Sequence, residues 1–168
     1  MLIIASKFDF KVTLENVVCD YYNKSLISIR EMKVYKVNRT VNGIRSNFTL
    51  FTELDEHTMV TIKGYKFLSN TYRLTAVQLV APVKQMLEAG DFDLKALFLN
   101  YTKPPIVWPL KKGVPYVMDG WFPDGSKYPP NFLEGRWRFT LAITLGDLSK
   151  IDEVSYYIKT ENVIRWWE

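Results

Sequence analysis

Ten residues in the last quarter of the chain alternate almost perfectly between apolar and more polar side chains. The apolar positions are Trp137, Phe139, Leu141, Ile143 and Leu145. Arginine and threonine occupy most of the positions between them. A period of two over this length predicts a β-strand with one buried and one solvated face, and it does not fit a helix. The inner face of this strand is expected either to fill an ordinary core or to line a cavity.

Further strand-like segments recur along the chain, separated by turn signals. They span Phe8–Cys19, Leu26–Val37, Ile44–Leu54, Thr58–Ile62, Tyr65–Val80 and Val154–Lys159. Asn42-Gly43 lies between two of them and predicts a tight hairpin turn. One short helix is predicted at Ala81–Ala89, with Pro82 in its first turn and Gly90 as its stop. Leu94–Leu99 is expected to add a further helical turn.

The length and composition predict a single domain with a large apolar interior. The chain has 168 residues, of which 48% are hydrophobic and 15% aromatic. A chain of this length buries a sizeable core without help from a second domain. Aromatic side chains remove a large area from water when they are buried. We therefore predict one all-β, two-sheet sandwich domain that spans residues 1–168.

Charge and hydropathy argue against nucleic-acid binding and against a membrane-spanning helix. The net charge is +4, and apart from Lys111-Lys112 the basic residues are scattered, without a recognisable nucleic-acid-binding motif. No stretch of about 18 apolar residues could form a membrane-spanning helix. We expect neither a nucleic-acid partner nor a transmembrane segment.

Residues for catalysis or metal binding are sparse. The only histidine, His57, follows Asp55-Glu56 in an acidic turn without a nucleophile nearby in sequence. One histidine and one cysteine cannot supply the ligand sets that zinc prefers. Carboxylate pairs for sugar hydrolysis could be drawn from Asp119, Asp124 and Glu134, but only geometry could select a pair. The sequence predicts a protein that is not an enzyme and that uses no cofactor.

Evidence on the compartment points in two directions. Asn-x-Ser/Thr glycosylation sites occur at Asn23, Asn38, Asn47 and Asn100. This surplus of acceptor sites favours export, with chance occurrence in a threonine-rich chain as the alternative. Cys19 stands alone, whereas exported domains commonly contain paired cysteines. We expect a secreted glycoprotein whose signal peptide is absent from or trimmed in this sequence.

A set of short motifs recurs in order over about Phe8 to Tyr157. The segments are Asn16–Cys19, Tyr22–Ser25, Val37–Thr40, Gly64–Leu68, Pro109–Gly113, Tyr128–Pro130, Glu134-Gly135 and Arg138. Together they resemble a family of insect secreted proteins that includes the CheB-type chemosensory proteins. That family is similar to the ML lipid-recognition superfamily. The resemblance implies an immunoglobulin-like sandwich that holds lipid between its sheets, and it implies no catalytic residues.

The resemblance is incomplete at the cysteines. The family's usual cysteine positions fall at Cys19, Met32, near Ala76 and at Trp108, so only the first is a cysteine here. An internal disulfide is therefore impossible. Each missing bridge gives up about 2 to 4 kcal/mol, which a heavier aromatic core or a reducing compartment would have to offset.

These observations leave two main functional hypotheses. The first is non-catalytic binding of a lipid, fatty acid or cuticular-hydrocarbon-like molecule between the sheets, in a chemosensory setting. Its expected ligand-binding residues are Trp137, Phe139, Leu141, Ile143, Trp121, Phe122, Phe51 and Tyr65. The second is a protein-interaction module or receptor accessory protein without a small-molecule ligand, whose exposed aromatic pairs Trp121-Phe122 and Trp166-Trp167 dock on a receptor.

Overall fold

A computed structural model of the chain describes residues 9–89, 93–128 and 134–163. Its first half contains β1 (Asp9–Tyr22), β2 (Ile27–Lys36), β3 (Asn42–Leu50), β4 (Met59–Leu68) and β5 (Thr71–Pro82). Two short helices follow, α1 (Val83–Glu88) and α2 (Leu94–Asn100). The second half contains β6 (Thr102–Lys103), β7 (Pro115–Trp121), a 3₁₀ turn (Gly125–Lys127), β8 (Gly135–Thr144) and β9 (Lys150–Val163).

The strands form two antiparallel sheets, which confirms the predicted all-β, two-sheet sandwich. The larger sheet has the order β1-β9-β8-β4-β5, and the smaller sheet has the order β2-β3-β7-β6. Apolar side chains from both sheets pack between them and form the core. Within the described residues, no helix is long and apolar enough to cross a membrane.

Strand β8 has the two faces that its alternation predicts. Trp137 is buried in the core, and Leu141 and Ile143 lie further along the same face. The guanidinium of Arg138 lies 4.2 Å from the ring centre of Tyr65, on the opposite face of the larger sheet. The period of two therefore separates an apolar inner row from a cationic and aromatic outer row.

The two helices close one side of the gap between the sheets. Val83 of α1 packs in a cluster with Val60 of β4, whereas Leu97 and Phe98 of α2 pack in a second cluster with Trp121 of β7. Helix α1 lies within the predicted Ala81–Ala89, although residues 81 and 82 still belong to β5. Helix α2 is a separate helix where the sequence predicted only an additional turn.

The predicted hairpin exists, but its turn does not lie at Asn42-Gly43. Asn42 and Gly43 are the first residues of β3 and pair with Lys36 and Tyr35. The turn is formed by residues 37–41, where the Asn38 side-chain oxygen accepts hydrogen bonds from the backbone N–H groups of residues 40 and 41. The asparagine that shapes the turn is therefore Asn38, through an Asx-type interaction.

Gly43 serves a different purpose from the one predicted. A Cβ atom at this position would lie 2.5 Å from Cγ2 of Val37 and 3.1 Å from the carbonyl oxygen of Trp121. The glycine lets the neighbouring chain segments approach closely. Several predicted features lie outside the described residues, namely Phe8, Gly90 as the helix stop, Pro129-Pro130 and Trp166-Trp167.

Candidate functional site

A cavity of about 130 Å³ lies between the two sheets, under the helices. Leu141, Ile143 and Val154 form its wall on the larger sheet. Its wall on the smaller sheet contains a cross-strand row of Met32, Ser46 and Met118, which lie opposite one another on β2, β3 and β7. The cavity therefore occupies the position where the two inner faces of the sandwich would otherwise meet.

The cover of the cavity comes from the segment between the sheets. Met86 and Leu87 of α1 and Phe98 of α2 reach it, together with Ile106 and Leu110 from the following loop. Methionine side chains are flexible and adapt to irregular apolar volumes. Because methionines lie on both the wall and the cover, the cavity can reshape without breaking backbone hydrogen bonds.

One carboxyl group lines this apolar cavity. Asp152 lies directly opposite Ile143 on the inner face of the larger sheet, and only 9% of the residue is exposed. Burial raises the pKa of Asp152 to about 7, and the positive charge of Lys150 opposes this shift only in part. In the described part of the chain, no hydrogen bond reaches the Asp152 carboxylate. The carboxyl group therefore lines the cavity without a hydrogen-bond donor from the described protein residues, and its oxygens are not among the fully enclosed polar atoms that lack a partner, which are Trp121 Nε1 and Arg138 Nε.

Two other ionisable groups surround Asp152. Burial raises the pKa of the Tyr156 hydroxyl, and the charge of Asp152 raises it further. The pKa of the Cys19 thiol is raised by burial first and by Asp152 next. These three groups form one polar corner on β1 and β9, and each of them favours its neutral form.

The structure separates the eight predicted ligand-binding residues into different environments. Leu141 and Ile143 line the cavity. Trp137 lies further along the same face, and its ring stacks on Phe139 with centroids 5.8 Å apart. With 2% of its surface exposed, Trp137 fills the core instead of facing an open space.

The remaining four predicted residues lie away from the cavity. Trp121 is buried among core residues, whereas Phe122, the next residue, is exposed. Neighbouring residues at the end of a strand point to opposite faces, so the pair cannot act as one exposed patch. Phe51 is 45% exposed, and Tyr65 lies on the outer face beneath Arg138.

Several cavity residues do not follow an apolar pattern in the sequence. Asp152 lies two residues before the predicted last strand, Val154–Lys159. The predicted strand begins too late because the polar side chain of Asp152 interrupts the apolar pattern. Asp152, Val154 and Tyr156 alternate along β9 on the face that packs beside the apolar row of β8, and this alternation is the signal that identifies Asp152 as a cavity residue. The cover residues Met86 and Ile106 depend on tertiary packing and had no local signal.

A second, shallower site is a surface groove of about 450 Å³, beside α2 and the 3₁₀ turn. Phe122, Lys11, Asp93 and Asp124 are among its lining residues. Burial raises the pKa of Asp93, whereas hydrogen bonds from Ser126 lower that of Asp124. This mixed polar lining differs from the apolar cavity between the sheets.

His57 and Asp119, two of the residues considered for catalysis, each take part in local hydrogen bonds. His57 is in a turn, where its backbone N–H donates to the Asp55 carboxylate. Asp119 accepts from the Tyr35 hydroxyl at 2.5 Å and from Arg45 Nε at 3.1 Å, so its charge is neutralised locally. Among the described residues, no group of three or more His, Cys, Asp or Glu side chains could hold a metal ion.

The four glycosylation sites differ in exposure. Asn38 and Asn100 are exposed, at the β2–β3 turn and at the end of α2. Asn23 and Asn47 are half-buried, and Asn47 lies in the middle of β3 between two paired strands.

Neither a protein-family model nor a curated protein matches the chain.

Proposed function

We propose that this protein binds a small hydrophobic molecule, without turnover, in the cavity between its two sheets. The observation that carries the proposal is the cavity of about 130 Å³ with an almost entirely apolar lining. Transfer of an apolar ligand from water into such a site contributes about 25 cal/mol per Å² of surface buried. A binding site of this kind needs few directional contacts.

The volume restricts the size of the ligand. An engineered cavity of about 150 Å³ in another protein binds benzene, whereas pockets for drug-sized ligands begin at about 300 Å³. The cavity thus fits a molecule close to benzene in size, or the end of a longer hydrocarbon chain. Met86 and Met118 are the side chains that would move to admit more of such a chain.

The resemblance to insect chemosensory proteins supports a hydrocarbon-like ligand and a secreted protein. Exposed glycosylation sites at Asn38 and Asn100 support passage through a secretory route. On this proposal the ligand is a lipid fragment, fatty acid or cuticular-hydrocarbon-like molecule encountered outside the cell.

Isothermal titration with benzene, using two matched variants, tests the proposal. Leu141→Phe adds volume inside the cavity, and Leu74→Phe makes the same substitution on β5, where Leu74 is 52% exposed. We expect wild type and Leu74→Phe to bind benzene equally, and Leu141→Phe to lose binding while it remains folded. Equal affinity in all three proteins, or no binding to wild type, would contradict the proposal.

A second candidate function is a protein-interaction module, and the exposed side of β5 favours it. Leu74, Leu79 and Val80 are each more than half exposed on this edge strand. Natural sheets usually blunt their edges, so an apolar edge is suited to pairing with another chain. Sedimentation of wild type and Val80→Lys tests this candidate: self-association that the lysine abolishes supports it, and a monomer at all concentrations opposes it.

A further inference from the structure

The cavity contains one feature that a purely hydrophobic ligand would leave unsatisfied. Asp152 lines the cavity, and nine-tenths of the residue is buried. Its cross-strand neighbours are Ile143 on β8 and Tyr22 on β1. The carboxylate receives no hydrogen bond from the described protein residues, so a ligand that donates one to it gains affinity over a ligand that leaves it without a donor.

The charged and titratable groups around Asp152 do not supply this donor. On β1, Asp20 accepts a hydrogen bond from the Ser155 hydroxyl, and Cys19 donates weakly to the backbone carbonyl of Tyr21. On β9, Lys150 pairs with Glu153, and Tyr156 is kept neutral by burial. On the facing sheet, the cavity wall holds uncharged Met32, Ser46 and Met118. Within the described residues, no cation on the cavity side balances the carboxylate.

We propose, on the basis of the function proposed above, that the ligand is a small apolar alcohol or phenol whose hydroxyl donates a hydrogen bond to Asp152. At pH values where both groups are ionised, the same carboxylate weakens the binding of ligands that carry a carboxylate of their own, because like charges repel in an apolar site. An ammonium group fits less well, because the removal of its full charge from water costs more than the removal of a hydroxyl.

A single acceptor in an apolar cavity restricts the class of ligand that fits. Among the ligands proposed above, ionised fatty acids are disfavoured with their headgroup at this end, because they would place a second carboxylate beside Asp152. Hydrocarbon alcohols satisfy both the apolar lining and the single acceptor. The raised pKa of Asp152, about 7, agrees with a carboxyl group that is poorly solvated and available to a neutral partner.

A series of benzene-sized probes tests the inference by titration calorimetry at pH 8. Benzene carries no donor, phenol adds a hydroxyl, benzoate adds a carboxylate and benzylamine adds an ammonium. We expect wild type to bind phenol about tenfold more tightly than benzene and to bind benzoate undetectably. Since phenol is better solvated than benzene, a preference for phenol requires an acceptor inside the site.

Two variants locate the acceptor. Asp152→Leu removes the acceptor and adds volume to the cavity, so its absolute affinities can fall, but the ratio of its phenol affinity to its benzene affinity should drop to about one. Glu153→Gln, which alters the adjacent carboxylate in an ion pair with Lys150, should keep that preference. If Asp152→Leu failed to fold, Asp152→Asn would replace it, with the expectation that exclusion of benzoate is relieved.

The possible outcomes separate this inference from the proposed function. Binding of benzene without a preference for phenol would overturn the inference and leave the hydrophobic binding function intact. Failure of every probe to bind would overturn both. Tightest binding of benzylamine would overturn the assignment of a neutral hydroxyl, and retention of the phenol preference in Asp152→Leu would overturn the role of Asp152.

Discussion

Ile143 of β8 and Asp152 of β9 lie directly opposite each other, and both side chains line the cavity between the sheets. Residues paired across antiparallel strands share one face of the sheet, so the carboxyl group is held in an otherwise apolar row. The residue between Lys150 and Asp152, Ile151, has no register partner on β8 because of an irregularity there, and it is also fully buried. This local bulge lets both residues 151 and 152 contribute to the cavity wall.

The buried carboxyl group makes stability depend on pH in a specific direction. The pKa of Asp152 rises from 3.8 to about 7 on folding, so the folded state holds a proton that the unfolded state releases between these values. Stability therefore falls as pH rises through this window, by as much as about 4 kcal/mol from this group. Asp152→Asn, which cannot titrate, should be more stable than wild type at pH 8.

Urea unfolding at pH 5 and pH 8 measures this effect. The stability difference between Asp152→Asn and wild type should grow by a few kcal/mol from pH 5 to pH 8. Glu153→Gln should show no such growth, because Glu153 is partly exposed and paired with Lys150. A difference that is constant with pH would show that Asp152 ionises normally in the folded protein.

Trp137 is expected to stabilise the folded protein. It is 2% exposed and stacks on Phe139, so Trp137→Ala should lower the free energy of unfolding by about 3 to 5 kcal/mol. Phe51→Ala, at a position that is 45% exposed, should change it by no more than about 0.5 kcal/mol. Urea titrations of the two variants check this contrast, which fails if both changes are equally harmful.

Tyr65 should prove unimportant for ligand binding, although the sequence placed it among the binding residues. Its ring lies under Arg138, in a cation–π contact worth about 0.5 to 1 kcal/mol at an accessible site. Tyr65→Leu should therefore lower stability by that amount and leave the benzene affinity of the protein unchanged. Loss of benzene binding in this variant would contradict the assignment of Tyr65 to the outer face.

The glycosylation sites should be used unequally if the protein is exported. We expect high occupancy at Asn38 and Asn100, which are exposed, and low occupancy at Asn47, which is half-buried within β3. Peptide mapping by mass spectrometry of protein secreted from a eukaryotic host measures each site, with Asn38→Gln and Asn100→Gln as controls. Full occupancy at Asn47 with bare Asn38 would contradict this expectation.

The sequence was most informative where one face of a strand is uniformly apolar. The alternation from Trp137 to Ile143 predicts both β8 and its inner face, because the period of two depends only on local geometry. The Asn42-Gly43 signal misplaced the hairpin turn. The turn lies earlier in the chain, where the Asn38 side-chain oxygen accepts a hydrogen bond from the backbone N–H of Val41, and Gly43 is needed for close packing within β3.

The site was harder to predict than the fold. A cavity forms where side chains from the two sheets leave space between them, and a local sequence pattern carries no information about this packing. Asp152 was missed because a charged residue in an inner row contradicts the apolar pattern on which such rows are recognised. Large aromatic residues were favoured as ligand contacts, yet Trp121 and Trp137 pack into the core, and smaller residues such as Leu141 line the space.

The most direct test of hydrophobic binding between the sheets is methyl NMR of the protein during titration with benzene. The methyl signals of Met86, Met118, Leu141 and Ile143, which line the cavity, should shift together and saturate at one affinity. The exposed methyl groups of Leu74 and Leu79 on β5 should stay unchanged. Shifts confined to β5, or an absence of shifts in all cavity methyl groups, would contradict the account.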